Sequence, residues 1–183
     1  EKTESLRLQH KMECDGMTDI LNRDTFMTRV TEILEKSSHD MRHALIMLDI
    51  DQFKLHNDSY GHQFGDYVIR ETAQILKRFL RKNDSCGRIG GDEFMVFLND
   101  IKYEQDIIPR IAELCSLLKR EYPEKGEVSC SLGVVFYPRN GTTFKELYRN
   151  ADIALYDVKR AGRCDYKIYG DEEEEERPPE DLI

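Results

Sequence analysis

The chain of 183 residues has no tryptophan, no C-x-x-C pair and no apolar run long enough to cross a bilayer. Residues 1–15 are polar and highly charged, so they are not expected to act as a secretory leader. Its five cysteines, Cys14, Cys86, Cys115, Cys130 and Cys164, are odd in number. That count speaks against a disulfide framework and for reduced thiols in a cytoplasmic protein. Excess positive charge is missing as well: 27 Lys and Arg stand against 36 Asp and Glu, a formal charge of −9. A partner made of polymeric nucleic acid is therefore not expected. Most of the imbalance lies in residues 171–183, which are mainly acidic, and the rest of the chain is close to neutral. Phosphate binding must then come from a local site. The histidines are scattered; His39 and His43 have helical spacing but fall just before a strand, so no zinc site is expected.

What is present suits one globular domain with a well-solvated surface: 39% apolar and 34% charged residues. Residues 1–14 read as the end of an upstream connecting helix, and the start at Glu1 reads as a cut from something longer. Residues 15–170 read as the domain itself, and 171–183 as an acidic, disordered tail. Asn22 caps a helix to about Lys36, with Phe26, Val30, Ile33 and Leu34 on one face. Ala44–Leu48 is a continuous apolar run that fits a central strand buried on both sides. A long helix is expected over about 63–81, and two strand-like runs around Gly90-Gly91 form a hairpin. An amphipathic helix then runs to about Tyr122, with Pro109 near its start. A strand over 128–137 follows, then a helix opened by a Thr143/Glu146 capping box and a last strand near Tyr166–Tyr169. This order predicts one α/β (α+β) domain with a mixed, mostly antiparallel sheet of about five strands flanked by helices.

The central strand ends in Asp49-Ile50-Asp51, and the hairpin turn supplies Asp92 and Glu93. If the two strands are neighbours, four acids crowd one edge of the sheet. Such a cluster repels itself unless a cation neutralises it, and oxygen ligands without thiolates favour Mg²⁺ or Mn²⁺. Lys54 sits at the start of a short helix, where backbone N–H groups already favour anions. Lys159 and Arg163 lie at a helix end and could join it around a triphosphate. Asn57 and Asp66 offer a carboxylate and an amide that suit the donor edge of guanine better than adenine.

At this point the sequence resembles the GGDEF domain family. Asp15-x-Met17-Thr18-x-x-x-Asn22-Arg23 looks like the family's opening motif, with Asp19 where glycine is usual. Asp49-Ile50-Asp51-x-Phe53-Lys54-x-x-Asn57-Asp58 and Gly61-His62-x-x-Gly65-Asp66 look like its first catalytic block. Arg88-x-Gly90-Gly91-Asp92-Glu93-Phe94 names it. Ser131-x-Gly133 and the stretch from Ala151-Asp152 to Lys159-x-x-Gly162-Arg163 complete it. The resemblance implies a nucleotidyl cyclase fold related to polymerase palm domains. It implies a diguanylate cyclase that joins two GTP into cyclic di-GMP, releasing two pyrophosphates.

It further implies two divalent metals per site, held by Asp49, Asp92 and the Ile50 carbonyl with Glu93 in support. Asn57 and Asp66 would read guanine beside Phe53, Gly90 and Gly91, while Lys54, Lys159 and Arg163 would hold phosphates. Asp92 or Glu93 would help remove the 3′ proton, with Lys54 in the catalytic set. Two facing copies are needed for two bonds, so the active species is expected to be a homodimer. Arg81-x-x-Asp84 stands where the family has its product-inhibition site, and an upstream sensory domain is expected in the full-length protein. The competing expectations are a catalytically silent domain that senses GTP or cyclic di-GMP, and an interaction domain that recruits a partner through its acidic tail.

Overall fold

The computed structural model describes residues 2–171. In chain order the elements are α1 (Lys2–Glu13), β1 (Leu21–Asn22), α2 (Arg23–Lys36), β2 (His43–Ile50), α3 (Phe53–Tyr60), α4 (His62–Phe79), β3 (Ser85–Arg88), β4 (Glu93–Leu98), α5 (Glu104–Leu118), β5 (Arg120–Tyr122), β6 (Gly126–Val128), β7 (Cys130–Tyr137), α6 (Phe144–Ala161) and β8 (Tyr166–Ile168). The main sheet has the order β1-β3-β4-β2-β7-β8. Its four central strands, β3, β4, β2 and β7, pair antiparallel, while the short edge strands β1 and β8 pair parallel to their neighbours. The sheet has six strands rather than about five, because two-residue β1 is too short to register as a pattern.

β2 is buried along its whole length, as its unbroken apolar run requires. Alternation along it divides the core. Ala44, Ile46, Leu48 and Ile50 pack with Val68, Ala73 and Leu76 of α4 and Ile111 and Leu114 of α5. Leu45 and Met47 face the other way, against Phe26 and Val30 of α2 and Leu147, Ala151 and Leu155 of α6. The sheet is thus a middle layer between two pairs of helices. Contact with α6 is closest at Gly133, where a Cβ would come within 2.1 Å of the Ala151 carbonyl oxygen.

The caps read from the sequence are present. Asn22 accepts from the Thr25 N–H at 3.0 Å, and Thr143 and Glu146 form a reciprocal capping box. Two expectations are corrected. The helix expected to run to Tyr122 stops at Leu118, and the next residues turn into a separate two-stranded hairpin, β5–β6. Arg120 anchors it, with its guanidinium 3.3 Å from Glu71 and 2.8 Å from the Thr72 hydroxyl on α4. Pro109, which left the start of this helix open in the sequence, lies inside α5, whose first residue is Glu104. Asp171, assigned to the acidic tail, is described and pairs with Arg139 at 2.7 Å, whereas 172–183 lie outside the described residues. No helix among the described residues is long and apolar enough to cross a membrane.

α1 leaves the domain through polar contacts. Glu13 meets Arg29 at 2.7 Å, and His10 meets Asp19 at 2.6 Å, with Lys77 on the other oxygen of Asp19 at 2.8 Å. Asp19 holds a left-handed φ of 57°, the backbone conformation for which glycine is the usual choice.

Candidate active site

The end of β2 and the β3–β4 turn meet because the two strands are neighbours. Asp49 stands opposite Glu93 in the ladder, and the Ile50 N–H donates to the Asp92 carbonyl at 3.2 Å. Asp49 continues the Leu45–Met47 face, toward α6. That is why Lys159, in the last turn of α6, reaches it at 3.2 Å. Burial, and next the neighbouring Asp92 carboxylate, push the Asp49 carboxyl up to about 6, while Lys159 pulls it back. A buried carboxylate beside a second one, with a single lysine to offset them, is a site short of positive charge. Asp49, Asp92 and the Ile50 carbonyl therefore fit a hard divalent cation, which would relieve that repulsion.

Asp51 does not join them. The strand ends at Ile50, Gln52 takes a left-handed φ of 53°, and the Asp51 carboxylate is buried among hydroxyls. It accepts from Ser129 Oγ at 2.7 Å, Ser131 Oγ at 2.6 Å and the Cys164 N–H at 3.1 Å. The expected crowd of four acids is thus three, with Asp51 used to tie segments together.

The turn carrying Asp92 is braced from outside. The Arg88 guanidinium donates to the carbonyls of Gly90 (3.2 Å) and Gly91 (2.8 Å), and to the Asp15 carboxylate at 3.2 Å. Asp15 in turn accepts from the Thr18 hydroxyl at 2.7 Å. The opening motif therefore holds the turn that carries Asp92, a link between residues 73 apart that spacing alone does not reveal. Neither Gly90 nor Gly91 has a positive φ. Their value is space: a Cβ on Gly90 would lie 2.6 Å from a Glu93 carboxylate oxygen, and one on Gly91 would meet only open space.

On the other face, α3 and α4 meet at Gly61, whose φ of 84° makes the corner. The corner lays Asn57 against Gly65 so closely that a Cβ there would sit 1.9 Å from Asn57 Oδ1 and 3.1 Å from the tip of Phe53. Asn57 Oδ1 is buried and has no hydrogen-bond partner. Asp66 is the next residue along α4 and is half-buried. Phe53, Asn57, Gly65 and Asp66 thus share one corner. Lys54 is exposed on the first turn of α3. Arg163 is exposed on the turn after α6, which is left-handed at three successive residues, Gly162 (129°), Arg163 (69°) and Cys164 (55°).

Arg81 and Asp84 lie away from this site, in the turn between α4 and β3. The Asp84 carboxylate accepts from the backbone N–H of Arg81 at 2.9 Å and of Asn99 at 3.1 Å, and Arg81 is exposed. Arg110 of α5, missed in the sequence, approaches the same carboxylate at 3.9 Å and lies over the Phe79 ring at 4.8 Å. Nothing local marks Arg110, which is far along the chain and arrives only through helix packing.

The family model for "Diguanylate cyclase, GGDEF domain" matches residues 12–165. Among curated proteins, the chain is 31% identical over 162 residues to the bifunctional diguanylate cyclase/cyclic di-GMP phosphodiesterase MucR of Pseudomonas aeruginosa. The match takes in 85% of this chain but 23% of MucR, so the chain spans less than a quarter of that relative. Among solved structures, the diguanylate cyclase SiaD of P. aeruginosa, in complex with its activator SiaC, superposes with a TM-score of 0.79 at 34% identity, covering 91% of this chain and 65% of SiaD. The GGDEF domain of DgcB from Caulobacter crescentus, in complex with c-di-GMP, gives 0.78 at 26% identity, covering 87% of this chain and 94% of that one. With the acid pair, the glycine corner and the cationic helix end all in place, the chain belongs to the GGDEF domain family of diguanylate cyclases.

Proposed function

We propose that this chain is a catalytically competent diguanylate cyclase, condensing two GTP to cyclic di-GMP across a homodimer. In each bond-forming step a GTP 3′-oxygen attacks the α-phosphorus of the other GTP, the 3′ proton is released and pyrophosphate departs. Mg²⁺ or Mn²⁺, two per site, would stabilise the attacking and leaving oxygens of that displacement. Asp49, Asp92 and the Ile50 carbonyl would hold them, with Glu93 in support. Lys54, Lys159 and Arg163 would neutralise the phosphates, so that charge developing on the leaving group meets fixed cations. Asn57 and Asp66 would orient guanine, and Asp92 or Glu93 would accept the 3′ proton. The observation that carries this reading is the Asp49–Asp92–Lys159 cluster, an acid pair beside a lysine at the end of β2.

The decisive experiment is incubation with GTP and Mg²⁺, with the product identified by mass. Cyclic di-GMP is the expected product, and Asp92→Ala is expected to abolish it while leaving the melting transition in place. A folded wild-type chain that binds GTP without turnover would instead make it a sensor.

We also infer product feedback. Relatives include a domain solved with c-di-GMP, and Arg81, held by Asp84 and flanked by Arg110, offers guanidinium groups to guanine O6 and N7. Arg81→Ala is expected to remove inhibition by added cyclic di-GMP without lowering the initial rate. The natural setting of such a domain is the cytoplasm, downstream of a sensory region.

A further inference from the structure

We propose that Asp51 is a positioning residue for phosphate binding: it fastens the turn that carries Arg163 to the end of β2 that carries Asp49 and Ile50. This rests on the cyclase reading above and assigns a role to an acid which that reading leaves idle.

Three chain segments meet on this one carboxylate. Asp51 continues directly from Ile50, and its own N–H donates to the Ser129 carbonyl at 2.9 Å. Its Oδ1 accepts from Ser131 at 2.6 Å, and its Oδ2 from Ser129 at 2.7 Å and from the Cys164 N–H at 3.1 Å. Only an acceptor-only group with two oxygens can take three donors converging from two directions. At 5% exposure the group is well removed from water, which strengthens these charge-assisted bonds.

The bond to Cys164 matters most. Arg163 and Cys164 both occupy the left-handed region, where non-glycine residues are held at a cost and relax when released. The turn is pinned at three points: Arg163 N–H to the Val158 carbonyl at 3.0 Å, Cys164 N–H to Asp51, and the Asp165 carbonyl to Leu132 N–H at 2.9 Å. The first point belongs to α6 and the third to β7. Only the second joins the turn directly to the residue that follows β2, so Asp51 sets the Arg163 turn against the strand end that carries Asp49 and Ile50. With its oxygens taken by Ser129, Ser131 and the Cys164 N–H, the carboxylate acts through where it puts Arg163.

The test is a double-mutant cycle on equilibrium binding of an α,β-methylene GTP analogue with Mg²⁺, alongside GMP, which lacks the outer phosphates. Arg163→Ala and Asp51→Ala are each expected to weaken the analogue about tenfold. If Asp51 works through Arg163, adding Asp51→Ala to Arg163→Ala should weaken binding further by less than about twofold. GMP binding should stay within about twofold in every variant. Asp51→Asn, which keeps the shape and one good acceptor, serves as the folded counterpart should the alanine variant melt too early, and should show the same dependence on Arg163 at smaller size. Equal effects of Asp51 replacement in both backgrounds, or a parallel loss of GMP, would overturn the assignment and leave Asp51 a structural residue. A wild-type chain that binds GMP but gains nothing from the outer phosphates would overturn the cyclase reading itself.

Discussion

At the residue scale, the most informative group is Asp49. Its carboxyl, pushed up to about 6 by burial and by Asp92, holds in the metal-free fold a proton that the unfolded chain releases near pH 4. The sign follows: the folded state binds more protons between those values, so stability is greatest below them and falls as pH rises toward 6. Asp49→Asn should therefore stabilise the metal-free domain at pH 8 by about 1–3 kcal/mol. It should also flatten that part of the pH dependence of the melting temperature, and it should abolish turnover. The same scale shows what a linear motif hides. Strand alternation predicts that Asp49 and Asp51 share a face, and their types are identical. The left-handed Gln52 and the serines of β7 and its approach part them, one toward α6 and chemistry, the other into hydroxyls.

At the element scale, the sheet is only as well made as its contact with α6. A methyl group on Gly133 would drive into the Ala151 carbonyl at 2.1 Å and the Leu155 nitrogen at 2.5 Å, both backbone atoms with no rotamer to yield. Gly133→Ala is expected to cost about 2–4 kcal/mol by overpacking, read as a lower urea midpoint, and to weaken GTP binding because α6 carries Lys159. The brace on the β3–β4 turn makes a softer prediction. Asp15→Asn leaves Arg88 its two carbonyl partners, so the melting temperature should shift by only a few degrees. Turnover should fall further than stability, as the Asp92 turn loosens.

Elements of this kind were legible where local chemistry sufficed: the apolar run of β2, the Asn22 cap, the Thr143–Glu146 box and the Gly90-Gly91 hairpin. They were not legible where three-residue strands followed a helix without a break, as in β5 and β6. There Arg120 and its hold on Glu71 and Thr72 decide the structure, and no window of sequence contains that contact. Arg110 and the Asp15–Arg88 pair escaped for the same reason.

At the scale of the whole molecule, the proposed reading places one GTP on each domain, while the proposed product needs two bonds closed around it. Mixing wild-type chain with excess Asp92→Ala should therefore depress activity more steeply than dilution does. Mixed pairs should form one phosphodiester and stall at the linear dinucleotide, which mass analysis of the products would reveal. Activity falling only in proportion to the wild-type fraction would mean that a single chain completes the cycle.

The sheet also partitions labour. The corner of α3 and α4 that carries Phe53, Asn57 and Gly65 lies on one side of β2, and α6 with Lys159 on the other, each packed into its own half of the core. On the proposed reading, a change at Asn57 or Asp66 would alter the base pocket in one layer and leave Lys159 and Arg163 in place at the other, with Lys54 the phosphate-side cation that shares the altered layer.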